Sequence, residues 1–180
     1  RGCRGVGGHL AGGMTMVDGV AMLEAAHAVQ AQVCAALDAL AASNTPDQQK
    51  AAWVREHVTR TLPRHFEDEE RGLFPLLLAR AHPHDRLPEI FAQIESEHAE
   101  SHLGLESLSE ILSRLAAGDM AGPRCRALLS AHAAHERAHL AVENATIMPL
   151  AARHLTGEDR LVLGRAIESR DWALVERRTR

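Results

Sequence analysis

HFEDEERGLFP, the stretch that begins at His65, places Glu69 four residues after the histidine. Residues spaced by four lie on the same face of a helix, so the two side chains can contact one ion. A second stretch, HLAVENATIMP, begins at His139 and places Glu143 at the same spacing. In both stretches a proline follows ten residues after the histidine. The repeat indicates that two separate helices present the same pair of ligand-type side chains.

Three further histidines extend this pattern to other helices. His98 and His102 lie between the two stretches and are also four residues apart. His27 falls in a series that runs from Met16 to Ala41 in alternate steps of three and four, the spacing of a helix seam in a bundle. A single histidine on an apolar stripe is usually a packed core residue, so the case for His27 depends on the other helices. Together, four helices could each direct ligand-type side chains to a common interior.

The turn signals divide the chain into long helices joined by short connections, which predicts an all-α, up-and-down antiparallel four-helix bundle with a short additional C-terminal helix. We expect residues 1–15 to be a disordered glycine-rich tail, residues 16–155 to form the bundle, and residues 156–180 to form the short helix packed on it. The first helix is predicted to end at residues 43–48, and the second to run from Thr45 as N-cap to about Arg80, with a kink or break at Pro63. The third is predicted to run from Pro88 to about Ala117, and the fourth from Pro123 to near His154. Thr156 is predicted to cap the fifth.

The composition excludes several classes of protein. Aromatic residues make up only 3% of the 180 residues and tyrosine is absent, which disfavours a β-sandwich or barrel. The formal net charge of -4 provides no broad basic field for nucleic acid, and no run approaches eighteen apolar residues, so we expect neither nucleic acid nor membrane as a partner. Cys3, Cys34 and Cys125 are odd in number and far apart, which indicates reduced thiols in a cytoplasmic protein.

The candidate ligands are five histidines and two carboxylates. Structural zinc sites hold four ligands, commonly thiolates, and this set contains no cysteine. Seven nitrogen and oxygen ligands are enough for two ions that share both carboxylates, a mixture that suits iron or manganese. One coordination position can then remain open for dioxygen, peroxide or nitric oxide.

This pattern resembles the hemerythrin family, the HHE cation-binding domain, over residues 16–154. The family positions are matched by His27, His65, Glu69, His98, His102, His139 and Glu143. The resemblance implies two non-heme iron ions bridged by an oxo or hydroxo group, with manganese as the less favoured metal. It also implies that one iron, with the open position, is held by His27 and His65 with the bridging carboxylates Glu69 and Glu143, and the other by His98, His102 and His139.

By this resemblance the protein binds dioxygen, or another small diatomic or peroxide ligand, for storage, delivery or sensing. The dioxygen carriers of the family usually place an aspartate five residues after the last histidine, whereas here Glu143 lies four residues after His139, as in bacterial relatives. The alternatives are a di-iron enzyme that acts on peroxide or nitric oxide, and an iron-handling protein. His132 and His135 are predicted to face roughly inward, as donors to the ligands, cavity-lining groups or core residues.

A ferritin-like bundle is the main structural rival, since its mark is a Glu-x-x-His pair. Three such pairs occur here, one each on helices one, three and four: Glu24/His27, Glu95/His98 and Glu136/His139. The ferritin-like fold instead needs pairs on helices two and four. A bundle without metal is the remaining alternative. We interpret His82 and His84, in the turn after the second helix, as exposed loop residues.

Overall fold

The computed structural model describes residues 17–180, so the predicted disordered tail lies outside the described residues. Its α-helices are α1 (Gly19–Ala42), α2 (Gln48–Glu56), α3 (Leu62–Asp68), α4 (Phe74–Arg80), α5 (Leu87–Ala116), α6 (Pro123–Val142), α7 (Met148–His154), α8 (Gly157–Ser169) and α9 (Ala173–Thr179). The π-helical turns His57–Thr61, Glu69–Leu73 and Glu143–Ile147 connect α2 to α3, α3 to α4 and α6 to α7. Four long helical stretches result, and residues 17–180 contain no strand, which confirms the all-α prediction.

Prolines explain the three π-helical turns. In each turn the residue just before a proline donates its backbone N–H to the carbonyl five residues earlier: Leu62 to His57, Phe74 to Glu69, and Met148 to Glu143. A proline has no N–H, and its ring clashes with the carbonyl four residues earlier in a regular α-helix. A wider turn relieves that clash without breaking the helix. The kink or break predicted at Pro63 is therefore a π-helical turn within a continuous second helix, and the same device recurs before Pro75 and Pro149.

Two apolar clusters show that neighbouring helices are antiparallel. Along α1 the chain passes from Leu23 in the first cluster to Val33 in the second. The second bundle helix runs the opposite way, from Val58 in the second cluster to Leu73 in the first. The third and fourth bundle helices repeat this alternation, with Ile94 and Ile147 in the first cluster and Leu105 and Leu129 in the second. The histidine-rich segments lie in the layer between the two clusters.

The predicted start of the second helix is wrong. The second helix begins at Gln48 with Asp47 as its N-cap, because the Asp47 carboxylate accepts a hydrogen bond from the Lys50 backbone N–H at 3.0 Å. Thr45 is not the cap, and its backbone N–H instead donates to the Ser43 hydroxyl at 3.1 Å.

The segment predicted as one short C-terminal helix contains two helices. Arg170 adopts a left-handed conformation with φ 57° and ends α8, and the Asp171 carboxylate then accepts from the Ala173 N–H at the start of α9. As predicted, Thr156 caps the first of them, in a capping box with Asp159.

By length and composition alone, α1 is also apolar enough to cross a membrane, contrary to the expectation from the sequence. It carries Glu24 and Asp38, but these are spread over its 24 residues and leave an apolar window. In the fold α1 buries His27 and Gln30 and packs chiefly against α6. Both buried polar side chains have partners on the fourth bundle helix: His27 bonds to Asn144, and Gln30 donates to Glu136.

The last two helices attach to the bundle through Asp159, whose side chain is fully buried. Its carboxylate accepts hydrogen bonds from Arg80 Nε at 3.1 Å, Arg178 Nε at 2.7 Å and Thr156 Oγ1 at 2.7 Å. Burial alone would raise the pKa of Asp159, but these hydrogen bonds outweigh it and hold the pKa well below its usual range. Asp159 therefore joins α8, α9 and the end of α4 in one charged junction.

We predict that Asp159→Asn lowers the free energy of unfolding by about 3 kcal/mol at pH 7, because it leaves two arginines without their shared buried partner. A depressed folded-state pKa gives stabilisation that is present above the unfolded-state pKa, near pH 4, and is lost as the pH falls through the folded-state value. The difference between wild type and variant, measured by urea unfolding, should therefore be smaller at pH 3 than at pH 7. An equal difference at both pH values would show that the Asp159 charge does not stabilise this junction.

Candidate metal centre

Six of the seven predicted ligands converge in the layer between the two apolar clusters. They form two groups of four, each with ligand atoms within 4.8 Å of one another: His27, His65, Glu69 and Glu143 in one, and Glu69, His98, His139 and Glu143 in the other. All six side chains are buried, and both glutamates are fully buried. Each group thus contains two histidines, and the two carboxylates belong to both.

The oxygens of the shared carboxylates divide between the two sides. Glu69 Oε1 lies 3.3 Å from His27 Nε2 and 3.5 Å from His65 Nε2, whereas its Oε2 lies 3.5 Å from His98 Nε2. Glu143 Oε2 lies 3.5 Å from His27 Nε2, whereas its Oε1 lies 3.0 Å from His139 Nε2. Each carboxylate therefore directs one oxygen toward each pair of histidines, as a bridging ligand must.

Outer hydrogen bonds fix three of the histidine rings. His98 Nδ1 lies 2.7 Å from Glu70 Oε1, and His139 Nδ1 lies 2.9 Å from Glu97 Oε2. On the other side His27 Nδ1 lies 2.8 Å from Asn144 Oδ1. Such partners hold a ring with Nδ1 protonated and Nε2 available as a ligand.

These outer partners were missed in the sequence, although a signal was present. Glu70 and Asn144 directly follow the ligands Glu69 and Glu143, and Glu97 directly precedes His98. A polar residue adjacent to a buried ligand on the same helix lies at the edge of the site, where it can reach a ring on the neighbouring helix.

The electrostatics separate His65 from the other histidines. For His98, burial alone would lower the pKa, but the nearby carboxylates of Glu143 and Glu69 raise it to about 10. Burial likewise opposes the charge of His139, and its interactions with Glu143 raise the pKa to about 9. The pKa of His65 is lowered, because burial outweighs the charge of Glu69. The carboxylates are thus balanced by imidazolium protons that a bound cation would displace.

Several buried atoms in this layer have no hydrogen-bond partner among residues 17–180. They are both ring nitrogens of His65, Oε2 of Glu69, and both carboxylate oxygens of Glu143. Leaving a buried acceptor or donor unsatisfied costs about 1–3 kcal/mol, and more for a charged group. These atoms belong to ligand-type groups that face one another across a few ångströms, so the donor set fits bound cations.

The seventh predicted ligand, His102, lies elsewhere. It is exposed, and its ring makes an edge contact with Phe66 at 5.4 Å, outside both groups of ligands. The buried positions of α5 step from His98 to Ser101 and Leu105, so the seam turns inward at Ser101 and not at His102. The prediction of His102 as a ligand is therefore not met by this arrangement.

The interior face of the fourth bundle helix also differs from the prediction. Leu128 is 51% exposed, whereas Leu129 and Ala133 are fully buried, so the interior face in the first part of this helix does not include His132 and His135. Glu136 is buried, and its carboxylate accepts hydrogen bonds from Gln30 Nε2 at 2.6 Å and from Ser101 Oγ. A second polar layer thus lies one turn from the ligands, and it was not anticipated.

His132 and His135 line a groove between α5 and α6, and do not point into the ligand layer. The groove contains two cavities of about 400 and 470 Å³, and His135 lines both. The larger cavity reaches Glu97 and His139, while His132 Nε2 in the smaller one lies 3.8 Å from Glu136 Oε1. His135 therefore approaches the outer partner of a ligand, on the side away from the shared carboxylates.

The ferritin-like alternative is not supported by the placement of its glutamates. Glu24 and Glu95 are exposed, and Glu136 is directed to Gln30 and Ser101. None of the three belongs to either group of ligands.

Comparison with known proteins agrees with this geometry. A family model described as the hemerythrin HHE cation-binding domain matches residues 18–151. Those residues include all six side chains of the two groups and both prolines that follow the shared carboxylates.

A curated relative is the "Dimeric xanthone biosynthesis cluster protein R11" of Cryptosporiopsis sp. (strain 8999), which is 33% identical over 90 residues. The match covers 50% of this chain and 33% of that protein, so the matched part spans only about a third of the relative's length. No solved structure gives a significant match.

The contrast between His98 and His102 gives a direct test. We predict that His98→Ala weakens metal binding by at least about a hundredfold, because even outer partners of ligands contribute about 10–100-fold. His102→Ala should keep the wild-type metal content and affinity, since the ring lies outside both groups. Equilibrium dialysis with elemental analysis of both variants measures this. If His102→Ala loses one ion per chain, the exposed ring must move inward as a ligand.

Proposed function

Because the chain belongs to the hemerythrin HHE cation-binding domain family, we propose that it is a non-heme di-iron protein that binds dioxygen at a carboxylate-bridged iron pair in the bundle core. The family binds metal cations, and the two buried groups of histidines and glutamates are suited to hold them. Iron as the metal, two as the number of ions, and dioxygen as the ligand constitute the proposal.

The observation that supports a pair of ions is the division of the oxygens of Glu69 and Glu143 between the two pairs of histidines. A single ion would leave one pair of histidines and two carboxylate oxygens unsatisfied in the core. Imidazole and carboxylate ligands without thiolate favour iron or manganese in such a pair, and the family relationship favours iron.

The outer hydrogen bonds make the two sides unequal, which supports an open position on the side of His27 and His65. His98 and His139 each bond to a carboxylate, which makes their rings stronger donors to a cation. His27 bonds to the neutral side chain of Asn144, and His65 has no outer partner among the described residues. A cation between His27 and His65 would be the more electron-poor of the two, and thus the better acceptor for an added small ligand.

An iron pair, when bound, supplies the redox electrons for reversible reaction with dioxygen. The protein supplies the surroundings. Phe66 stacks on His98 at 3.9 Å between ring centroids and closes one side of the layer, while the apolar clusters above and below exclude water. Glu69 and Glu143 each begin a π-helical turn, and each carboxylate directs one oxygen toward each pair of histidines.

We also propose that the protein acts in the cytoplasm, without nucleic acid or membrane as a partner. Cys34 and Cys125 are free thiols, as a reducing compartment would keep them, and the net charge of -4 is unsuited to a phosphate backbone.

We predict that the purified protein holds two iron ions per chain in preference to zinc, and that its reduced, anaerobic form changes its visible absorption spectrum on exposure to air. Chelation should lower the melting temperature, because the buried carboxylates lose their compensating charge and binding to the native state is linked to folding. Elemental analysis, absorption spectra and thermal unfolding measure these effects. One ion per chain would contradict the pair, and an unchanged melting temperature would show that the six residues do not bind as one site.

The enzymatic alternative, reaction with peroxide, is favoured by one observation: the groove that contains His135 reaches Glu97 and His139. The relative named above also takes its name from a biosynthesis cluster. Because His135 lies outside the ligand layer, dioxygen binding by itself does not need it.

We predict that His135→Ala retains its iron and leaves the lifetime of the oxygenated state within about twofold of wild type. A positioned proton donor typically contributes about a hundredfold or more to turnover. If His135→Ala lowers peroxide consumption by that factor with iron content intact, His135 is a catalytic proton donor and the enzymatic function is the correct one. His132→Ala serves as the matched control, since His132 lines only the neighbouring cavity.

A further inference from the structure

A second cluster of metal-ligating side chains lies at one end of the bundle. It combines His82, His84 and Asp85 from the turn between α4 and α5 with His154, the last residue of α7. His98 in the candidate metal centre lies eleven residues beyond Leu87, the first residue of α5, which is roughly 16 Å along the helix. We infer that these four residues form a separate mononuclear site for a divalent transition metal of the zinc type.

Asp85 and His154 form the floor of this site. The Asp85 side chain is 7% exposed and that of His154 is 10% exposed. Asp85 Oδ2 lies 3.2 Å from His154 Nε2, which is buried and has no hydrogen-bond partner among the described residues. The other oxygen, Oδ1, lies 3.7 Å from His84 Nε2. An imidazole nitrogen without a hydrogen bond thus lies close to a carboxylate beneath the turn.

His82 and His84 form the outer side of the site. The ring centroid of His82 lies 5.3 Å from that of His84 and 5.6 Å from that of His154. For comparison, the histidine pairs of the candidate metal centre, His27/His65 and His98/His139, have ring centroids 5.0 and 4.9 Å apart. The rings at the bundle end are therefore close to one another, but those of His82 and His84 are nearly parallel, at 13°, and must rotate before both can bind one ion. Because His82 and His84 are exposed, their side chains can change rotamer so that their nitrogens approach the Asp85 carboxylate.

The turn itself holds the ligand positions. Pro83–Asp85 is a single 3₁₀ turn, and Asp85 Oδ2 accepts a hydrogen bond from the His82 backbone N–H at 2.9 Å. The backbone on both sides of Pro83 is thereby fixed while the side chains of His82 and His84 remain exposed. An ion pair between Asp85 and His154 would explain why these two residues lie together. It would not explain why His82 and His84 lie beside them.

The donor set selects the class of metal. Three imidazole nitrogens and one carboxylate oxygen match the tetrahedral coordination of Zn²⁺, and the same set also suits Co²⁺ and Ni²⁺. Mg²⁺ and Ca²⁺ prefer oxygen ligands and are disfavoured. An ion held here would connect the α4–α5 turn to the end of α7 and so stabilise that end of the bundle.

The test is uptake of Zn²⁺ by the iron-loaded protein, measured by isothermal titration calorimetry and by elemental analysis after gel filtration. Wild type should take up one Zn²⁺ per chain without loss of iron. The double variant His82→Ala/His84→Ala keeps the Asp85–His154 contact that supports the fold, and it should bind Zn²⁺ at least a hundredfold more weakly with unchanged iron content. His132→Ala removes a histidine elsewhere and should bind Zn²⁺ as wild type does.

A second variant, His154→Gln, separates the floor of the site from its outer side. It should also lose the Zn²⁺, and thermal unfolding without added metal verifies that the variant is folded. The inference is overturned if wild type takes up no additional Zn²⁺, or if the double variant binds it as tightly as wild type. Zn²⁺ uptake accompanied by an equal loss of iron would likewise contradict it, because the ion would then enter the central layer.

Discussion

Two fully buried carboxylates, Glu69 and Glu143, determine the rest of this structure. An isolated carboxylate in a protein interior is very costly unless it is paired or coordinates a metal, and no arginine or lysine contacts either of them among the described residues. Their nearest neighbours are histidines, which carry compensating charge only while protonated. Bound cations would provide that charge permanently, and the two apolar clusters on either side keep water from providing it instead. Metal binding and packing of the core are therefore two aspects of the same constraint.

The backbone around these carboxylates is adapted to the same purpose. Each begins a π-helical turn that a proline makes necessary, so the ligand lies at a point where the helix is wider than a regular α-helix. The C-terminal helices support one of these turns from outside: Gly72 approaches Leu163 and Trp172 so closely that a Cβ atom would lie 2.7 Å from the Leu163 side chain. Trp172 Nε1 donates to Glu67 in the preceding helix. The two C-terminal helices thus help to position Glu69, in addition to packing on the end of the bundle.

Much of the fold and most of the site could be predicted from the sequence, because they depend on patterns within single helices. The spacing of four between His65 and Glu69 fixes which face they share, whatever the helix packs against. His102 shares the same spacing with His98 but is exposed, because the choice between positions three and four residues apart depends on how far each helix is rotated in the bundle. Single-helix patterns do not contain that rotation. The same limit explains why Ser101 and the buried Glu136 were not recognised, since their hydrogen bond joins two helices whose faces meet only in the folded protein.

The central claim is that Glu69 and Glu143 bridge a pair of ions, and iron K-edge X-ray absorption spectroscopy of the iron-loaded protein tests it most directly. The account predicts a first shell made of nitrogen and oxygen only, together with scattering from a second iron at about 3.5 Å, the typical separation of two ions in carboxylate-bridged sites. Glu143→Gln should weaken or remove the iron–iron scattering while leaving histidine ligands in the first shell. A spectrum without any iron–iron scattering in fully loaded wild-type protein would contradict the account.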